Sequence, residues 1–273
     1  MIEILLKEWI EQVKYYIHLI ADYSIKESQV GAVLDDVLNL SGKMLRSKLL
    51  LLCAFLGTNW KNNKEKICKL AAMVELTHLA SLIHDDIVDD SPYRRGKVSI
   101  QGKYGKDAAV FAGDFLIARI FYYGAVENLN EAVSILSKTV EYMCIGEIEQ
   151  DLCRYQENIS EKKYFENIER KTAALFQAAS YIGAKEAGCS EEIIQKLELF
   201  VKNLGLMFQL KDDILDFTSN SKELGKETHK DFQNGIYTFP VIMALKNLKA
   251  NFINSENVEE EKIQKLKKFY YPL

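Results

Sequence analysis

Proline occurs only at positions 92, 240 and 272 of this 273-residue chain, and that scarcity constrains the fold more than any other feature. Proline breaks helix interiors because it lacks a backbone donor and clashes with the preceding turn. A chain nearly free of it has room for long helices, and its apolar residues recur at helical spacing almost throughout. Ile67, Leu70 and Val74 form one stripe; Ala72, Leu76, Leu79 and Ile83 form another. Two apolar stripes on one segment mean a helix buried on most sides. Further helices are expected over roughly 2–22, 27–39, 44–57, 107–127, 131–152, 161–187, 191–217 and 236–249. Strand-like alternation is scarce. The reading is all-α, a large helical bundle. No linker rich in Pro, Gly or Ser divides it, so residues 1–273 read as one domain. The polar stretch NFINSENVEEE (251–261) reads as a loop before a short last helix.

A chain of this length buries about three quarters of its unfolded surface and needs no covalent staples. Its net charge of −4 gives no reason to expect nucleic acid or an anionic membrane as the main partner. The cysteines at 53, 68, 144, 153 and 189 are odd in number and scattered, with no CxxC. That pattern suits free thiols in a reducing compartment better than a disulfide framework or a zinc site. The start, MIEILLKEWIEQVK, is broken by charge every few residues and lacks a secretory apolar region. The longest apolar run, LLLLCAFL (49–56), is too short to span a bilayer. A soluble, cytoplasmic protein is expected.

Against this apolar background, HDDIVDDSPYRRGK (84–97) crowds its carboxylates together. Asp85 and Asp89 are four apart and share a helix face; Asp86 and Asp90 form a second such pair. Pro92 is expected to end the helix, which puts the carboxylates at its C-terminal end, where the macrodipole is already negative. Like charges at this spacing also repel. Downstream, LKDDILDFTS (210–219) repeats the pattern with Asp212 and Asp216, and with Asp213 beside them. Stability alone argues against both clusters, so something cationic must offset them. Carboxylate oxygens suit Mg²⁺, which binds through one or two carboxylates plus substrate phosphates. One acidic helix end is ordinarily a solvated surface. Two copies of D-D-I-x-D, each following apolar helix, point instead to a site for a metal-chelated diphosphate. Lys43 and Arg46 in SGKMLRSK (41–48), with Arg94 and Arg95 after the first cluster, supply the anion-binding side. Each of these alone is more often a surface charge. Likewise His78, read in isolation, is more often a satisfied core histidine.

The chain resembles the trans-polyprenyl diphosphate synthases, the head-to-tail prenyltransferases. HLASLIHDDIVDDSPYRRGK is similar to the first aspartate-rich motif of that family and FQLKDDILDF to the second. SGKMLRS resembles the family's G-G-K-x-x-R-P block. AGDFL (112–116), GEIEQ (146–150), KTAALF (171–176) and LGKETHKDFQNGIYTFP (224–240) follow in the family's order. The likeness covers about residues 25–250. It implies the isoprenoid-synthase helical bundle around a central cavity, and Mg²⁺-dependent condensation of isopentenyl diphosphate with an allylic diphosphate. By position it implies that Asp85 and Asp89 hold two Mg²⁺ from one wall. Asp212 holds a third from the other, with Asp213 and Asp216 in support, and Asp86 belongs to the catalytic set. It assigns Arg94, Lys171, Thr172, Gln209 and Lys226 to the allylic diphosphate. Lys43, Arg46, His78 and Arg95 fall to isopentenyl diphosphate. His78 lies two turns before Asp85, on the same face.

The same resemblance implies a homodimer with helix 107–127 buried in its interface. A heterodimer is the rival, and the apolar product is handed on to a membrane. Short-chain relatives usually place an aromatic residue where Ala80 or Ser81 stands here; Thr77, Ala80 and Ser81 are all small. A medium- or long-chain all-trans product is therefore expected, with Met73 and residues near Phe111 and Phe115 as candidate floors. The rival is a farnesyl or geranylgeranyl product, if an aromatic such as Phe55 crosses the tunnel. A non-catalytic subunit and a cyclase on the same fold are the other classes; intact aspartate motifs and the isopentenyl-binding set favour elongation. Three departures stand out. Ser47 replaces the usual proline after the block's arginine. Ile236 stands where many relatives carry lysine. The chain also ends at Leu273, earlier than typical relatives, so helices that usually close the domain are missing from it; a truncated sequence, a partner that completes the fold and a naturally short variant are the alternatives.

Overall fold

The doubly striped segment becomes α4 (Lys64–Val88), and the other helices are arranged around it. The computed structural model describes residues 2–23, 28–40, 42–94, 96–218 and 230–254. In chain order α4 is preceded by α1 (Ile2–Ile20), α2 (Gln29–Leu38) and α3 (Leu45–Ala54). It is followed by a two-stranded hairpin, β1 (Tyr93–Arg94) and β2 (Lys97–Val98), and by α5 (Ile100–Tyr104). Then come α6 (Lys106–Val126), α7 (Asn130–Leu152) and α8 (Glu161–Ile168), a π-helical turn (Glu169–Ala173), and α9 (Ala174–Glu186). α10 (Glu191–Thr218), α11 (Lys230–Gln233) and α12 (Phe239–Asn254) complete the described chain.

α4 packs against α1, α3, α6 and α9, so it must be apolar on nearly every side. Leu70, Met73, Leu76 and Ile83 are each no more than 2% exposed. Full burial of such a side chain contributes about 1.5–3 kcal/mol, which makes α4 the anchor of the main core. α1 buries a single stripe, Trp9, Ile10, Val13, Tyr16, Ile17 and Ile20. α6, the helix expected at a subunit interface, has only 33% of its most apolar stretch buried within this chain. Phe111, Tyr122 and Val126 project from it into solvent.

Local chemistry explains three helix starts. Ser28, Ser99 and Ser160 each accept a backbone N–H of the first turn, at 3.1 Å, to open α2, α5 and α8. α3 begins differently. Met44 is left-handed and caps nothing, but buried Glu75 reaches across from α4. Its Oε2 accepts from the Ser47 hydroxyl at 3.0 Å and from the Ser47 N–H at 3.4 Å. Proline at that position offers neither donor, so the departure at Ser47 is matched by a carboxylate placed to use it.

Three expectations need correction. α4 stops at Val88, before Pro92, because Asp90 takes a left-handed conformation (φ 48°). The Ser91 N–H then bonds Asp86 O at 2.8 Å and the Asp90 N–H bonds Ile87 O at 3.2 Å. That pair of bonds is the Schellman stop. The expected helix 161–187 is interrupted by the π-helical turn. The final helix runs from Phe239 to Asn254, so residues 251–254 continue it rather than open a loop.

Candidate active site

At the end of α4 the four aspartates divide by face. Asp86 is buried, and both its carboxylate oxygens accept from Arg94 Nε at 2.8 Å. Its carbonyl also accepts from Gln101 Nε2 at 2.6 Å. Asp86 and Arg94 thus moor the hairpin to α4. Asp90 pairs with Lys106 at 3.0 Å. The other face carries Asp85 and Asp89. Burial pushes the Asp85 carboxyl up to about 6; Glu147 and Asp89 add to the rise, while Lys171 and Arg94 oppose it. Two neighbouring carboxylates, one of them held above its usual range despite Lys171 and Arg94, form a site suited to a further cation.

Lys171 is aimed at them by the π-helical turn, a distortion that often marks functional sites. Two glycines let neighbours close on the turn. A side chain at Gly146 of α7 would meet Arg170 Cβ at 2.8 Å, and one at Gly205 of α10 would meet Ala173 Cα at 2.7 Å. The Lys171 ammonium lies 2.9 Å from Glu147 Oε1. Burial opposes its charge, but Glu147, Asp85 and Asp89 outweigh burial and keep the lysine protonated. Next to it, the Thr172 hydroxyl donates to Gln209 Oε1 at 2.6 Å, and Gln209 Nε2 donates to Asp213 Oδ1 at 2.8 Å. The Tyr164 hydroxyl donates to Asp213 Oδ2 at 2.6 Å. Burial pushes Asp213 up to about 6 despite these bonds, with Asp231 and Asp212 adding to the rise. α8, the π-helical turn and α10 are therefore tied together through Asp213. Asp212 stands exposed and Asp216 is buried. One cleft is lined by Asp89 from α4, Lys171 from the π-helical turn, and Gln209 and Asp213 from α10. Arg95 and Lys226 lie outside the described residues.

The isopentenyl-side candidates sit on α3 and α4. Arg46, in the first turn of α3, is buried with its guanidinium 4.6 Å from the centre of the Phe176 ring of α9. Stacking of this kind holds the planar guanidinium in place. Lys43 is exposed just before α3, and His78 is half-buried on α4. Along α4, Thr77 and Ala80 are buried and Ser81 is half-buried. Thr77 donates back to Met73 O at 2.9 Å and Ser81 to His78 O at 2.8 Å. Both hydroxyls are engaged by their own helix, so the face they leave is effectively apolar. Phe55 packs edge-on to Trp9 and Trp60, at 5.1 and 5.3 Å. Met73 is fully buried and Phe115 is half-buried against the main core, but Phe111 is 70% exposed and is no floor within this chain.

Glu147, Tyr164 and Glu75 are functional or supporting residues that the sequence did not single out. Glu147 falls in the GEIEQ block but received no role there. Tyr164 lies two helical turns before Lys171, a spacing that was the only available signal. The metal fits the donors present. Among the described residues no three His, Cys, Asp or Glu side chains converge on one point. Asp85 and Asp89, on one face, supply the one or two carboxylates through which Mg²⁺ binds, with water and phosphate completing its shell.

Comparison with known proteins finds this fold in solved prenyl diphosphate synthases. The polyprenyl synthetase family profile matches residues 27–271, and the chain belongs to that family. It is 38% identical over 229 residues to heptaprenyl diphosphate synthase component 2 of Bacillus subtilis (strain 168). That match covers 82% of this chain and 65% of the relative, so the chain spans just under two thirds of that protein's length. Among solved structures, heptaprenyl diphosphate synthase from Staphylococcus aureus superposes with a TM-score of 0.82 at 27% identity, covering 97% of this chain and 84% of the other. A polyprenyl synthase from Caulobacter crescentus CB15, complexed with calcium and isoprenyl diphosphate, gives 0.82 at 32% identity, with 97% and 82% covered.

Proposed function

We propose that this chain condenses isopentenyl diphosphate with an allylic diphosphate to build a medium- or long-chain all-trans polyprenyl diphosphate. The observation that carries the reading is the cleft in which Asp89, Lys171 and the Gln209–Asp213 pair meet at the end of an apolar helix. Asp85 and Asp89, with Asp212 and Asp216 opposite, would hold Mg²⁺, three ions by family likeness. Bound there, Mg²⁺ would neutralise the departing diphosphate. Lys171 and Thr172 bind the allylic diphosphate and orient its C–O bond toward the second substrate. As that bond breaks, the electron pair leaves with the diphosphate. The isopentenyl double bond then attacks the allylic carbon, and the surplus proton passes to the released diphosphate. Arg46, Lys43 and His78 hold the second diphosphate. The buried face below Asp85 excludes water from the cation. Incubation with labelled isopentenyl diphosphate, an allylic primer and Mg²⁺, followed by product sizing, tests the reading; no chain elongation refutes it.

The two diphosphate sites are separable. Arg46→Ala is expected to raise the KM for isopentenyl diphosphate at least tenfold more than that for the primer, because a buried bidentate donor is lost. Lys226→Ala is expected to do the reverse. Equal effects on both substrates from both variants would refute the division.

We further propose assembly through the apolar faces of α6 and α7, where Phe111, Tyr122, Ile148 and Leu152 are each at least 60% exposed. Most soluble oligomers are two-fold homodimers. The relative called component 2 supports a heteromeric alternative. Light scattering is expected to show a dimer, or a monomer that becomes active only with a second subunit; a stable active monomer counts against both. Five free cysteines support a reducing, cytoplasmic setting.

A further inference from the structure

Of the buried side-chain oxygens with no hydrogen-bond partner among the described residues, two belong to one cleft. Asn167 in α8 is 7% exposed and Thr238, just before α12, is 6% exposed. Asn167 Oδ1 and Thr238 Oγ1 are both sealed from solvent, and neither finds a donor or acceptor there. Leaving a buried polar atom unpaired costs about 1–3 kcal/mol, so each needs an explanation. Both residues line the same cleft, together with Asp213, Asp231 and Ile236.

The lining is rich in carboxylate. Three carboxylates, Asp89, Asp213 and Asp231, line the cleft, and among its described lining residues the single cation is Lys171. That ammonium is already engaged by Glu147 at 2.9 Å. Ile236 contributes only hydrocarbon to the wall. The lining thus offers an amide oxygen, a hydroxyl oxygen and carboxylates, all of them oxygen donors and two of them neutral. Mg²⁺ demands a tight octahedral shell and dehydrates reluctantly. Neutral protein oxygens replacing a hydration shell are instead the coordination taken by K⁺.

We propose that this end of the cleft binds a monovalent cation of K⁺ size, held by Asn167 Oδ1 and Thr238 Oγ1 beside Asp213 and Asp231. The ion satisfies both orphaned oxygens and offsets the carboxylates. It ties α8 to the segment entering α12. Its binding does not depend on turnover, so it can be measured without substrate.

The test is thermal unfolding of the full chain in excess chelator, without substrate, in about 100 mM KCl, NaCl or choline chloride. K⁺ is expected to raise the Tm by about 3 °C or more over choline at the same ionic strength, as for a site saturated roughly tenfold above its Kd. Na⁺ is expected to do less. Thr238→Val and Asn167→Leu should each abolish the K⁺ increment, and Thr238→Ser should keep it. In choline, Thr238→Val is expected to be at least as stable as the parent, because it removes an unpaired hydroxyl. A thallium(I) NMR resonance shifted by the parent protein and restored by K⁺ gives a direct readout. Equal Tm in KCl and choline, showing that the cleft takes only water, would overturn the proposal. So would a K⁺ increment that survives both Thr238→Val and Asn167→Leu, or an equal response to Na⁺.

Discussion

Asp85→Ala is expected to lower kcat by about 10²–10³-fold or more, the cost of removing one preorganised electrostatic contact from a dry site, while leaving the fold intact. The expectation rests on what Asp85 contributes in the absence of a cation. Its carboxyl lies at the negative end of α4, beside Asp89 and Glu147, and burial already disfavours its charge. Removing it relieves repulsion, so the Tm should hold or rise slightly. Asp212→Ala is expected to behave alike. Asp86→Ala should differ in kind, because both Asp86 oxygens accept from Arg94 at 2.8 Å. Truncation there strands a partly buried guanidinium and loosens the hairpin, so a lower Tm should accompany any loss of rate. Activity assays with labelled isopentenyl diphosphate, paired with thermal melts, separate the cases. Full activity in excess chelator, or a collapse of the Asp85→Ala fold, would end this reading of the first motif.

Ala80→Phe is expected to shorten the product to about farnesyl or geranylgeranyl size. The growing tail must run from the diphosphates along α4, and each helical turn rises about 5.4 Å, comparable to one extended prenyl unit. Ala80 is fully buried, Thr77 and Ser81 turn their hydroxyls onto their own helix, and Met73 lies deeper. A phenyl ring at position 80 would fill that path. Overpacking also costs about 1–3 kcal/mol, so the half-buried Ser81→Phe is the companion variant. Product sizing decides the matter. A parent enzyme that stops at farnesyl, or two variants with unchanged products, would mean that the tail follows another face.

The all-helical class was legible before any coordinates, because three prolines and a 3.6-residue apolar rhythm leave few alternatives. The double stripe on Ile67–Ile83 correctly marked α4 as a helix buried on most sides. Helical period also placed Asp85 and Asp89 on one face; the pairing it gave Asp86 with Asp90 fails, because the helix has already stopped when Asp90 turns left-handed. These are properties of neighbours along the chain, and local spacing contains them.

What spacing does not contain is the partner across the gap. Nothing near Asp86 in sequence says that it moors Arg94 while Asp85 meets Lys171. Nothing near Ser47 announces Glu75, which lies 28 residues away. The π-helical turn at Lys171 is invisible to a 3.6-residue pattern; Gly146 and Gly205 let α7 and α10 press against it. The outer face of α6 reads as core by composition, yet packing leaves most of it uncovered. The sequence by itself determined which segments are helical, which stripes are apolar and that Asp85 and Asp89 lie on a common face. Only the tertiary structure decided which of those carboxylates is neutralised inside the protein and which is left to a cation, because that depends on distances between helices far apart in the chain.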